Sequence, residues 1–388
     1  MKNPSATVLD FGSSKISVLC GERAINNSFN IKASADVEYA GFSGGEFFEP
    51  NLVLNSVKSA ITAAETTLKN KIKKVYVGVP GEFITTVVRE TEKIYKRKRK
   101  INEADIDELF ASADIFEDNE VYTVIKKSAI FFEIDGDKRV ISPIGQRITK
   151  IRAMCSFVLC EKKFLVFIIK ILNSLGIKEY DFICSTLAMT RFLFSQKERE
   201  KNVLLADIGY ITTSVMVASG KGLLFTKSFS DGGGYIAADL AECLHIPFAI
   251  ASKLRNQISL NVELSPDDKY EIKSGDDKYM YDALVVHQIV KDRLNVICTY
   301  IKKVFSECPY HIEPEKTLYI TGGGISYMRG AIEYLSSKLN RNVEMAVSPG
   351  FSNSNKPHRS SIFAVLDVAL VREERETRST NFFKKLFK

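Results

Sequence analysis

"LDFGSSKISV" at residues 9–18 returns as "ADIGYITTSV" at residues 206–215. In both stretches an apolar strand ends on an aspartate (Asp10, Asp207), one apolar residue follows, and then a glycine (Gly12, Gly209). Both then place Ser-Val at the same distance from that aspartate (Ser17-Val18, Ser214-Val215). Two similar strand–turn–strand units, each opening one half of the chain, predict a two-lobed protein with related halves. A third glycine-bearing turn, "LYITGGGISYMRG" (318–330), reads as a strand, a turn and the start of a helix.

The bulk properties agree with two lobes. A chain of 388 residues exceeds the size at which one hydrophobic core grows efficiently. With 45% hydrophobic and 26% charged residues the composition is that of a soluble globular protein. Apolar runs such as 164–169 are too short to span a bilayer, and "MKNPSATVLDFG" runs straight into a strand rather than reading as a signal peptide. Seven cysteines without CxxC spacing, and four scattered histidines, predict reduced thiols with neither a disulfide frame nor a zinc site. The formal charge of +7 is modest. The run "KRKRK" (96–100) is expected at a solvated hairpin tip rather than on nucleic acid, because no aromatics interleave it.

Between the repeats the punctuation is readable. Leu54, Val57, Ile61, Ala64 and Leu68 recur at helical spacing over 52–68. "KKVYVGVPG" (73–81) alternates as a strand into a Pro-Gly turn. The chain then changes character: a charged hairpin region, a helix capped by Asn102, and strand-like runs around 121–134 and 148–160 form an inserted block. An apolar helix over 164–175 stops at Gly176. In the second half, 283–304 is a long amphipathic helix, and 361–372 a further one before the polar linker "EERETRST" and the terminal "NFFKKLFK".

The glycine turns carry a chemistry. Backbone N–H groups approach anionic oxygens where side chains are absent or small. Ser13, Ser14 and Lys15 add hydroxyl donors and a cation for phosphate. Asp10 and Asp207, at strand ends, suit Mg²⁺ held through water.

In this order the motifs resemble the actin-like ATPase superfamily and, within it, the bacterial FtsA family. "LDFGSSKISVLCGE" is similar to the first phosphate motif, "LLADIGYITTSVMV" stands at the second, and "LYITGGGISYMRG" is similar to the adenosine motif. "VYVGVPG" followed by an inserted block, and "SPIGQRITKIRAMCSFVLC" (142–160), look like the FtsA-type subdomain. The resemblance implies an α/β, actin-like (ribonuclease-H-like) two-lobed fold with that subdomain inserted in the first lobe. Residues 1–81 would be the phosphate-1 core, 82–162 the insert, and 163–201 the return to the first lobe. Residues 202–251 would be the phosphate-2 core, 252–313 a variable subdomain, and 314–372 the second lobe's adenosine motif and closing helix. A linker (373–380) and an amphipathic tail (381–388) would follow.

The resemblance also implies ATP as ligand. Contacts would come from Gly12, Ser13, Ser14 and Lys15, from Gly209, Thr212 and Thr213, from Gly234, from Lys253 near the adenosine, and from Gly322, Gly323 and Gly324 about the base and ribose. The departures lie in the second motif, where Tyr210, Ile211 and Ser214 replace two glycines and an acid, and at Ile250, where an acid is expected before Lys253. Ile211 at a positive φ would cost roughly 1–2 kcal/mol and crowd the phosphates. Weak ATP binding with very slow or absent hydrolysis is therefore expected.

On a helical wheel, Phe382, Phe383, Leu386 and Phe387 gather on one side and Lys384, Lys385 and Lys388 on the other, which suits an anionic membrane surface. The expected protein is an actin-like division scaffold that polymerises on the inner face of the cell membrane and tethers FtsZ, with the FtsZ contact in 252–313. The alternatives are a PilM-like pilus-assembly scaffold, which needs no such tail, and a sugar kinase of the same superfamily, which needs intact phosphate hairpins.

Overall fold

The computed structural model describes residues 4–24, 28–117, 119–136, 138–275, 277–348 and 356–386, with side chains to 377. Two five-stranded sheets organise it, and their topologies match. In the first, Ser5–Phe11, Lys15–Arg23 and Phe29–Glu38 form an antiparallel meander, and Lys74–Val79 and then Glu179–Cys184 add in parallel beside Ser5–Phe11. In the second, Val203–Ile208, Thr213–Ser219 and Gly222–Phe229 form the meander, and Leu318–Thr321 and Val343–Met345 add in parallel. The repeat seen in the sequence is therefore a repeat of the fold. Its two Asp/Ser pairs become cross-strand partners, Asp10 with Ser17 and Asp207 with Ser214.

The inserted block is a four-stranded antiparallel sheet of Ile84–Lys100, Tyr122–Ile134, Lys138–Val140 and Arg147–Glu161, with the helix Glu103–Ala113. Asn102 caps that helix reciprocally with Asp105, donating to Oδ2 at 3.0 Å and accepting Asp105 N–H at 3.1 Å. Lys96–Lys100 differ from expectation: they end a 17-residue strand rather than form a hairpin tip. Arg99 there pairs with Asp105 and lies over the Tyr95 ring.

Sequence periodicity maps onto burial. The helix Pro50–Leu68 buries Val57, Ile61 and Ala64, and Ala283–Glu307 buries Val286, Val290, Leu294, Ile297, Ile301 and Val304. Lys162–Ser174 is followed by Gly176 at φ +78°, a left-handed stop that glycine enters without strain.

Two readings change at the end of the chain. The closing helix is Ser360–Leu386, and its apolar face (Ile362, Val365, Leu366, Ala369, Leu370) packs with Val8 and Leu9 in the first lobe's core, not the second's. The expected linker, 373–380, continues this helix because its charges are pinned to the first sheet. Glu373 accepts from Tyr76 Oη at 2.9 Å, Lys74 pairs with Glu373 (2.9 Å) and Glu376 (2.7 Å), and Glu374 lies 3.5 Å from Arg23. The helical backbone reaches Phe382 to Leu386, whose side chains lie outside the described residues, as do Phe387 and Lys388 entirely.

Candidate functional site: the cleft between the lobes

The two glycine turns face each other across a cleft of about 210 Å³. They are built alike: Gly12 N–H donates to Lys15 O at 2.9 Å, and Gly209 N–H to Thr212 O at 2.9 Å. Asp10, Gly12, Ser13, Ser14, Lys15, Asp207, Gly209, Thr212, Gly322 and Gly323 all line this cleft. Four other candidates do not.

Each strand-end aspartate leans on a glycine of the neighbouring element. A Cβ on Gly78 would collide with Asp10 Oδ1 and lie 2.8 Å from Ser185 Oγ. A Cβ on Gly322, which takes φ +93°, would collide with Asp207 Oδ1. Gly78→Ala is therefore expected to destabilise the fold by roughly 1–3 kcal/mol, read as a lowered thermal midpoint by circular dichroism. An unchanged midpoint would show that the Asp10 pocket is slack.

The carboxylates are the electrostatic centre. Asp10 is buried, and its Oδ1 accepts Ser361 Oγ at 3.0 Å and Ser185 Oγ at 3.3 Å. Burial pushes its carboxyl up to about 6 despite those hydroxyls. Asp207 is pushed up to about 7, by burial first and then by the charge of Asp10. Among the described residues no side chain donates a hydrogen bond to Asp207. Two acids, Asp10 buried and Asp207 half-buried, that repel each other and form no ion pair among the described residues fit a divalent ion held through water. No third acid or imidazole joins them, since no group of three or more His, Cys, Asp or Glu side chains able to hold a metal occurs among the described residues.

The rim is basic. Lys15 lies 3.5 Å from Asp36, and His358 and Arg359 enter from the short helical turn Pro357–Arg359. Arg359 is held by Ser34 Oγ at 2.8 Å and by the Phe363 ring 5.4 Å beneath its guanidinium. Burial, Lys15 and Arg359 together hold His358 below the usual imidazole range. A cationic lip over an acidic floor suits a phosphate chain with a divalent ion.

Ile211 departs from expectation. No residue from 209 to 212 takes a positive φ, so the anticipated backbone strain does not arise. Its N–H instead donates to Ser13 Oγ at 3.0 Å, across the lobes. Its Cδ1 sits 2.7 Å from where a Cβ on Gly41 would be. The residue bridges the two phosphate turns.

The four candidates away from the lining have other partners. Thr213 Oγ1 donates to Asp231 O at 2.6 Å. Gly234 N–H donates to Tyr210 O at 2.7 Å, and any Cβ there would strike the Tyr210 ring, so this glycine backs the hairpin. Gly324 lines an adjoining cavity of about 330 Å³ that shares Gly323 with the cleft. Lys253 turns away, reaching Lys273 O at 3.5 Å. Two residues on, Arg255 points the other way and donates to Gly324 O. Residues two apart on a helix lie about 200° apart, so only one of them can face the glycine turn. Gly78, Ser185, Arg255, His358, Arg359 and Ser361 are the site residues that sequence reasoning missed.

Comparison with known proteins finds similarity to one family and to one fold. The model described as "Cell division protein FtsA" matches residues 204–365. The Streptococcus pneumoniae cell division protein FtsA is 22% identical over 356 residues, covering 88% of this chain and 75% of that protein. The Pseudomonas aeruginosa FtsA is 23% identical over 343 residues, covering 87% and 82%. Among solved structures, a PilM–PilN type IV pilus biogenesis complex aligns with a TM-score of 0.60 at 15% identity, covering 96% of this chain and 99% of that one. MreB 5 of Spiroplasma citri bound to AMPPNP aligns with a TM-score of 0.54 at 10% identity, covering 99% and 100%. The fold is actin-like.

Proposed function

We propose that this chain, a divergent relative of the FtsA cell-division proteins, is an actin-like scaffold that binds ATP weakly, polymerises on the inner face of the cell membrane and tethers FtsZ there. The carrying observation is the family match over 204–365, which spans the second phosphate turn, the glycine triplet and the start of the closing helix. Residues 252–313 are the proposed FtsZ-facing subdomain, and residues 381–388 the membrane contact.

ATP would lie with its phosphates between the Gly12–Lys15 and Gly209–Thr212 turns, and its base toward Gly323, Gly324 and Arg255. Asp10 and Asp207 would hold Mg²⁺ through water, and that ion would supply charge neutralisation to the phosphates. The second motif lacks the acid that the resemblance implies, with Ser214 standing in its place. In the first lobe Ser17 donates to Asp36 Oδ1 at 2.5 Å, whereas the equivalent Ser214 meets Ser228 Oγ at 2.8 Å. With no acid at that position to orient a water, phosphate release is expected to stay far below the ~10 s⁻¹ of an ordinary enzyme. Steady turnover near that rate would overturn this part.

Arg255→Ala is expected to weaken ATP binding about tenfold or more, as loss of a charged hydrogen-bond donor does, while Lys253→Ala leaves it unchanged. Isothermal titration of both variants decides the assignment, and the reverse order of effects would restore Lys253.

The central experiment is co-sedimentation with anionic liposomes, with and without ATP, followed by addition of FtsZ. Pelleting of FtsZ only when this chain is present supports the reading. A chain that binds neither liposomes nor FtsZ, yet binds a short peptide from a pilus-assembly partner, would favour the PilM-like alternative.

A further inference from the structure

A second polar cavity, of about 210 Å³, lies outside the cleft, between the insert strand Tyr122–Ile134, the helix Ser185–Leu193 and the closing helix. Five cations line it: Lys126, Arg191, Arg199, Arg372 and Arg375. The carboxylates nearby are already engaged, Asp367 by Arg23 Nη2 at 2.8 Å and Asp181 by Arg372. Arg199 is buried and donates to the carbonyls of Phe194 and Gly220. The side chains of Lys126, Arg191 and Arg375 make no hydrogen bond or ion pair among the described residues.

Such an arrangement opposes folding unless something offsets it. Burial lowers the Lys126 ammonium below its usual range, and the charges of Arg191, Arg372 and Arg375 lower it further. Arg191 is exposed, and its guanidinium is held below its usual range by local desolvation and by the charges of Arg375 and Arg372, with Asp367 opposing them. Apolar side chains would fill the space at no such electrostatic cost, and Leu187 and Val371 already form the floor. Four elements, from three stretches distant in sequence (Lys126, Arg191 with Arg199, and Arg372 with Arg375), contribute cations to one cavity.

We propose that this cavity is a binding site for a phosphate-bearing anion, separate from the cleft. The planar forks of Arg191 and Arg375 suit phosphoryl oxygens, Lys126 adds a point charge, and Arg372 adds positive potential while paired with Asp181. An anion there would neutralise the cluster and tie the insert to the closing helix. The phosphate could come from a lipid headgroup or a soluble phosphoanhydride, two sources of the same chemistry.

The test uses the full chain with inorganic pyrophosphate as probe and thermal midpoint and calorimetry as readouts. Pyrophosphate is expected to raise the midpoint of the wild type, and Lys126→Gln/Arg191→Gln to weaken its binding about tenfold or more. Neither side chain has a partner to lose, so the variant should fold. The exposed Arg375→Gln offers a second, milder variant with a reduced shift. Lys15→Ala weakens any binding of pyrophosphate in the cleft, and a shift that the double variant removes should remain in it. Competition by phosphatidylglycerol vesicles but not phosphatidylcholine vesicles identifies a headgroup, and its absence identifies a soluble ligand. The proposal is overturned if pyrophosphate affects neither protein, or if the double variant keeps the shift. Loss of the shift only in Lys15→Ala would place the anion in the cleft and overturn it equally.

Discussion

Asp207→Asn is expected to stabilise the ligand-free protein at pH 8 while abolishing the magnesium dependence of ATP binding. The carboxyl of Asp207 titrates near 3.8 in an unperturbed state and is pushed up to about 7 in the fold. Between those values the folded protein holds a proton that the unfolded chain has released. Stability therefore falls as pH rises through that window and levels off above about 7. Asparagine removes the penalty, worth roughly 2 to 4 kcal/mol at alkaline pH. At pH 4 the two proteins should melt alike. Protons and Mg²⁺ compete for the same oxygens, so ATP binding by the wild type in magnesium should weaken as pH falls below about 7. Parallel melts at pH 4, 6 and 8, and titrations of ATP with and without magnesium, check both arms. A variant that loses stability at pH 8 would mean that Asp207 holds the lobes together rather than awaiting a cation.

Removal of residues 381–388 is expected to release the protein from anionic liposomes completely. Each tail lysine contributes about 1 kcal/mol near an anionic leaflet, and each large apolar side chain roughly one to three more. After ordering costs a single tail is a marginal anchor. Several tails on one polymer bind far more firmly through effective concentration. Two measurable consequences follow: binding should rise steeply with protein concentration, and it should vanish with the tail while ATP affinity stays unchanged. Unaltered co-sedimentation of the truncated chain would refute the membrane role of these residues.

Much of the fold was legible because its signals are local. The seven-residue spacing from aspartate to serine encodes a tight hairpin, and those residues pair across the two strands. Helical spacing marked the helices over 52–68 and 283–304, and Asn102 marked a cap. What stayed hidden depends on distant contacts. Ser361 meets Asp10 across 351 residues, Arg359 meets Ser34 across 325, and Ser185 meets Asp10 across 175. No periodicity carries that information. The polar stretch after residue 372 read as a linker because its charges have no partners nearby in sequence. Their partners, Arg23, Lys74 and Tyr76, stand on strands of the first sheet.

The closing helix runs unbroken through 27 residues from Ser360 to Leu386, about 40 Å at 1.5 Å per residue. It begins beside the cleft carboxylate Asp10 and ends in the proposed membrane contact, so the two ends share a rotational phase. A helix transmits azimuth as well as distance: one residue inserted after Thr377 turns everything beyond it by about 100°, whereas seven restore the original bearing to within about 20°. On a polymer, where every copy must present its tail to the same flat surface, a one-residue insertion should scatter membrane attachment and a seven-residue insertion should largely preserve it. A flexible tether would be indifferent to both. The helix thus makes the angle of the tail, and not merely its presence, a heritable property of the chain.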